Sequence, residues 1–299
     1  MKKPTTLFFL ALIICASVLN GKAQTNGQGS QNLPEGNSSE NGISHTGPKK
    51  GSFFITHFYE FTSFSNLKLI SNTNHYILWD GESSYELTDD QVMQYNDNFG
   101  TEYQNQMVGL KVGYQVMEGF GISGYAGINQ FDFKSFVSDE NTQILSDDKP
   151  AFTLGVAVDY QKALGDKFAA MTMLSYNYCT TGSVTVDNNS GLEVVSSSLK
   201  SMYWEMNLAL AYRYEKLLPY AGVGFTQQFV NSVHQEKIPT TNDLGEDVNN
   251  LTEFDSHFRG SAVYGFAGLK YNFSKKLSVY GRSYFMNPLR VNVGVQISL

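Results

Sequence analysis

Residues 291–299 read VNVGVQISL, in which apolar and small or polar residues alternate without exception. Successive side chains of a β-strand point to opposite faces, so Val291, Val293, Val295, Ile297 and Leu299 make one apolar face, and Asn292, Gly294, Gln296 and Ser298 make the other. A stretch of this length is about what a tilted strand needs to cross a bilayer.

The same period recurs upstream. Residues 106–116 place Val108, Leu110, Val112, Tyr114 and Val116 opposite Met107, Gly109, Lys111, Gly113 and Gln115. Further strands are expected at 120–130, 151–162, 168–178, 202–214, 218–225, 261–273 and 277–285. The first candidate, FFITHFYEFTSF at 53–64, alternates poorly, because aromatics fall on both faces. Together with 291–299 this gives about ten strands, with eight to twelve open because a hairpin signal at Asp80-Gly81 could add two. That hairpin, in the polar stretch 65–102, is placed outside the wall. Connections alternate between short turns (117–119, 164–166, 215–216, 274–276) and long polar ones (65–102, 134–150, 180–200, 231–259). An even strand count with loops sorted this way puts both chain ends on one side.

Charge decides which face points where. Lys111, Asp159, Glu205, Arg213 and Lys270 all share a face with the small and polar residues, and the more apolar face of those strands has no charge. A Lys or Arg turned to lipid near the midplane costs about 2–4 kcal/mol, so the charged face is the lumen. Arg282 and Glu60 join it, giving near-balanced charge for paired networks that fill a narrow interior. The turn-proximal aromatics Tyr114, Phe120, Tyr160, Phe168, Tyr212, Tyr214, Tyr271 and Phe273 are expected to form a girdle.

Composition agrees. Aromatic content of 14% with 27 Gly and 7 Pro favours strands in close contact. Beyond the first 20 residues there is no apolar run long enough for a membrane helix, which excludes a helical membrane protein. Residues 1–23 read as a signal peptide, with Lys2 and Lys3, an apolar core at 7–19 and Gly21-Lys22-Ala23 as the cleavage site. Cleavage removes three of 21 basic residues, leaving 18 against 28 acidic, a formal −10 that argues against nucleic acid as a partner. It also removes Cys15; Cys179 is then alone and no internal disulfide is expected. Residues 24–50, poor in apolar side chains, read as a flexible periplasmic leader, and 51–299 as the barrel.

A chain of such strands ending on 291–299 resembles the outer-membrane β-barrel family, although Leu299 stands where an aromatic terminal residue is commonest there. The plan is similar to the small OmpA/OmpX-like barrels, with no separate peptidoglycan-binding domain. The resemblance implies an all-β antiparallel transmembrane barrel in the outer membrane of a Gram-negative envelope. It also implies contact with lipid and lipopolysaccharide, and assembly by the barrel-insertion machinery.

The expected role is non-enzymatic: envelope structure or surface interaction through acidic extracellular loops, which could bridge to lipopolysaccharide through divalent cations. A porin-like narrow pore is the first alternative. The second is a rim hydrolase: Asp255-Ser256-His257, with Asp147-Asp148, looks like the omptin proteases, whose acidic and Asp-His pairs activate water. His57, with Tyr59 and Phe61 on its face, is read as a structural residue at the interface or lumen rim. His45, His75 and His234 have no partner at metal-ligand spacing. No catalytic, cofactor or metal site is assigned, and no cofactor is expected.

Overall fold

The computed structural model describes residues 50–299 except 66, 79–80, 99–100, 137–141, 147–149, 182–183, 189–192 and 242–246. The expected signal peptide and most of the leader lie outside these residues, as do Asp147, Asp148, Asp243 and Glu246. The elements are β1 (Phe53–Ser65), β2 (Lys68–Leu78), β3 (Gly81–Glu86), α1 (Asp89–Asn98), β4 (Thr101–Met117), β5 (Phe120–Phe136), β6 (Thr142–Ser146), β7 (Ala151–Ala163), β8 (Phe168–Thr181), β9 (Val184–Asn188), β10 (Glu193–Tyr212), β11 (Leu217–Thr241), β12 (Asp247–Asn272), β13 (Leu277–Phe285) and β14 (Leu289–Ser298).

Ten of these strands close a ring in the order β1-β4-β5-β7-β8-β10-β11-β12-β13-β14, and all the pairings are antiparallel. Closure runs through β1 and β14, from Phe54 opposite Ser298 to Ser63 opposite Leu289. The Leu299 amide still donates to the Phe53 carbonyl at 2.9 Å. The irregular look of β1 has a steric cause. Its burial alternates strictly, with Phe54, Thr56, Phe58, Glu60, Thr62 and Phe64 inward. The inward rings Phe54 and Phe58 lie opposite Gly113 and Gly109 on β4.

That pairing of aromatic with glycine recurs round the wall: Tyr125 faces Gly155, Tyr220 faces Gly268 and Tyr280 faces Gly294. A Cβ at Gly155 would sit 2.2 Å from the Tyr125 ring and one at Gly268 2.3 Å from the Tyr220 ring. Each ring therefore crosses the neighbouring strand where no side chain stands, filling a narrow lumen with large and small residues in alternation. Outward, the expected apolar face is exposed, with Phe152 at 70%, Val263 at 69% and Leu154 at 63%. A band of this kind around the whole wall needs lipid to cover it. Girdle rings meet near the short turns, Phe53–Tyr114 and Tyr271–Phe273 at 4.7 Å and Phe168–Tyr212 at 5.2 Å.

The long side differs from expectation. Residues 193–200, 231–241 and 247–259, read as connections, are strand: β10, β11 and β12 run to 20, 25 and 26 residues. Polar residues stand on both faces there, so the period-two signal fades although the ladder continues. β2 takes over the edge of β12 where β13 stops: residues 265–272 of β12 pair with β13, and Leu251–Arg259 pair with β2. The β2–β3 hairpin thus stands outside the ten-strand ring, stacked above the short β13–β14 hairpin. Helix α1 interrupts the polar stretch 65–102. Thr88 Oγ1 accepts from the Gln91 amide at 3.4 Å and Gln91 Oε1 accepts from the Thr88 amide at 2.9 Å, a reciprocal cap with Asp89 and Asp90 in the first turn. Asn96 then holds both the amide and the carbonyl of Leu69, at 2.8 and 2.9 Å.

Deleting residues 295–299 removes four of the ten residue pairs of the β1–β14 seam and leaves β1 and β13 with unpaired backbone. The truncated chain is expected to be lost from the membrane fraction and to show no heat-modifiable band on a gel; a normal folded band would contradict this closure.

Candidate functional site

The lumen holds the chemistry. At mid-height the β14 residue Arg290, 2% exposed, points inward and its Nη1 donates to Glu205 Oε2 on β10. Its guanidinium lies 5.0 Å from the rings of both Tyr203 and Tyr284, which enclose it. Glu205 Oε1 accepts from Tyr284 at 3.2 Å and from Asn207 Nδ2. Glu60 accepts from Tyr203 at 3.0 Å, Thr62 at 3.4 Å and Asn292 Nδ2 at 2.8 Å, with Arg290 Nε 3.9 Å away. Every carboxylate oxygen has a donor. Two buried anions share Arg290, and Arg282 of β13 adds a second cation, with its Nη1 donating to Tyr284 at 3.0 Å. Pairing with full hydrogen bonding is what lets charges persist in such an interior.

Towards the short-turn end lie Lys111, Lys270 and Asp159. Lys270 Nζ donates to Gln296 Oε1 at 2.9 Å, and Asp159 acts electrostatically on both lysines. The expected lumen residues Lys111, Asp159, Glu205, Lys270, Arg282 and Glu60 all face inward. Arg213 stands at the rim, where its amide donates to the Lys167 carbonyl at 2.7 Å. Arg290 precedes the expected terminal strand 291–299 but belongs to β14. Its parity with Asn292 and Gln296 was the available signal.

Above the charged layer the lumen turns apolar, which departs from the expected polar filling. Phe64, Tyr103, Phe133, Ala151, Cys179, Leu199, Val230 and Phe258, one from each of eight wall strands, form a buried cluster with Leu67 and Leu69 from the β1–β2 segment. Leu87 and Val92 of the α1 region pack onto it. Phe133 and Phe258 meet edge-on at 5.4 Å. Where β13 and β14 end, Leu67 and Leu69 complete the layer.

Residues 87–283, about two thirds of the chain, match the family model of the autotransporter beta-domain. The chain belongs to the autotransporter β-domain family. This member of the autotransporter β-domain family is an outer-membrane β-barrel, so its apolar band faces lipid and its long strands extend from the membrane. In structure it is similar to the outer membrane protein OprG from Pseudomonas aeruginosa, at 14% identity over 85% of this chain and 98% of that one, with a TM-score of 0.36. It is also similar to the translocator domain of autotransporter NalP from Neisseria meningitidis (7% identity, 86% and 90% covered, TM-score 0.41). A third is the outer membrane protease OmpT from Escherichia coli (8% identity, 83% and 97% covered, TM-score 0.38). No curated protein sequence matches the chain.

The remaining candidates lie apart. His57 faces outward, opposite Leu110 and Val295, in an otherwise apolar groove on the lipid side. Asp255 and His257 share the outer face of β12 beyond the wall, with Oδ1 and Nε2 3.3 Å apart. Their expected acidic partners, Asp147 and Asp148, lie outside the described residues. His234, on the inner face of β11, stacks on Phe254 at 4.7 Å, and burial pushes its imidazole down to about 4. Among the described residues no cluster of His, Cys, Asp or Glu could hold a metal ion.

Arg290→Met leaves Glu60 and Glu205 buried without their cation and is expected to cost about 3–5 kcal/mol. The heat-modifiable transition in detergent should shift to lower temperature, and Arg290→Met combined with Glu205→Gln should recover part of the loss. An unshifted transition would show that the pair does not hold the wall.

Proposed function

We propose that this outer-membrane barrel is a closed, non-enzymatic anchor that presents an extracellular β-sheet for envelope or surface interaction. The observation that carries the reading is the contrast between the two ends of β11 and β12. A spanning strand uses about 9–11 residues, and these have 25 and 26. More than half of each therefore extends beyond the apolar band, while the lumen beneath is closed by the apolar cluster. Such a shape supports display rather than passage.

The outer face of the extension carries the chemistry available to a partner. Residues directly opposite one another share a face, so the pairings put Glu253 beside His75 and Asp255 in line with Thr73 and Glu86. Anionic lipopolysaccharide reaches such a surface through divalent cations, and protease sensitivity of residues 251–259 that does not change between Ca²⁺ and chelator would count against that contact.

A second reading, a rim hydrolase, draws on the Asp255–His257 contact. Its acid-base pair stands on an exposed face, and replacing His257 by Ala should leave any peptide cleavage by intact cells unchanged. Loss of a cleavage activity in His257→Ala would establish the hydrolase instead. The porin-like alternative is tested in planar bilayers. The closed lumen predicts no large, steady conductance from the purified barrel, whereas Phe133→Ala with Phe258→Ala, which thins the apolar layer, should introduce flickering current. Steady conductance from the unmodified protein would overturn the closed-anchor reading.

A further inference from the structure

One cavity of about 70 Å³ lies within the lumen below the apolar cluster, and its walls include Lys111, Arg282, Arg290, Glu60 and Glu205. That is room for several waters or for one polyatomic ion. Each oxygen of the two carboxylates already accepts at least one hydrogen bond from the wall. The cations are in the opposite condition. Nε of Arg282 and Nε of Arg290 are buried and, among the described residues, donate to nothing. Lys111 makes no ion pair or hydrogen bond among the described residues, and its Nζ rests 6.0 Å from the Phe54 ring.

Charge points the same way. Among the described residues four inward cations, Lys111, Lys270, Arg282 and Arg290, stand against three inward carboxylates, Glu60, Asp159 and Glu205, which leaves one positive charge in excess. Burying an unpaired charge is costly, and three donors converging on one space recognise an acceptor with several oxygens. Lys111 is half-buried while Arg290 is 2% exposed, so the route in runs from the periplasmic, short-turn end past Lys111.

We propose that the lumen is a binding site for a small oxyanion of the phosphate or carboxylate class, held by Lys111, Arg282 and Arg290 and loaded from the periplasm. The site is independent of the surface reading above, since it lies on the other side of the apolar cluster. The probe is inorganic phosphate, followed by ³¹P NMR line broadening with the full chain folded in a phosphate-free detergent. Wild-type barrel should broaden the signal saturably, and acetate or sulfate should reverse the broadening. Lys111→Gln should weaken the affinity at least tenfold while the heat-modifiable band stays intact, and Lys276→Gln, at an exposed periplasmic turn, should bind as wild type. Absence of saturable broadening by folded wild-type protein, or equal affinity in Lys111→Gln, would overturn the proposal.

Discussion

Hydrocarbon offers no partner to a backbone amide, and that single constraint shapes the whole protein. Every N–H and C=O at membrane depth must be paired between strands, so the sheet has to return to its own beginning. The β1–β14 seam accomplishes this over the full height of both strands. Once the ring is closed, each residue has two choices, lipid or lumen, and period-two alternation assigns them. The charges have nowhere to go but inward.

A narrow interior then imposes its own requirement. Ten strands leave a narrow space, and two different fillings meet it. In the lower half large rings lie across glycines of the adjacent strand and a network centred on Arg290 ties β14 to β10 and, through Glu60, to β1. The arginine thus joins the last strand both to its neighbour in the seam and to the opposite wall. Above it an apolar layer crosses the lumen, with Leu67, Leu69 and α1 completing what the short β13–β14 hairpin leaves open.

The lower half was readable from the residue order because its two faces differ in kind: valine and leucine against lysine, aspartate and glutamate. The regular wall strands and the inward direction of Lys111, Asp159, Glu205 and Lys270 follow from that contrast, whereas β1 carries aromatics on both faces and does not show it. The upper half was not readable, for two reasons. In β11 and β12 beyond the membrane, Gln235, Glu253 and Asp255 face water while Ser232, Thr252 and Ser256 face inward, so polarity no longer distinguishes the faces. Phe133, Leu199 and Phe258 are apolar yet inward, the reverse of the rule that holds lower down. The glycine pairs needed the register, since Tyr125 and Gly155 come from different strands and nothing local connects them.

The account stands on the seam. Tyr59 and Val293 lie directly opposite each other on its lipid face, at a spacing that admits a disulfide if both are replaced by cysteine. With Tyr59→Cys and Val293→Cys in the membrane-inserted protein, mild oxidation should close an intramolecular loop. It would be seen as faster migration of the unfolded chain that reductant reverses, while Tyr59→Cys with Ile297→Cys stays uncrosslinked. Failure of the first pair, or efficient crosslinking of the second, would contradict a barrel closed in this register.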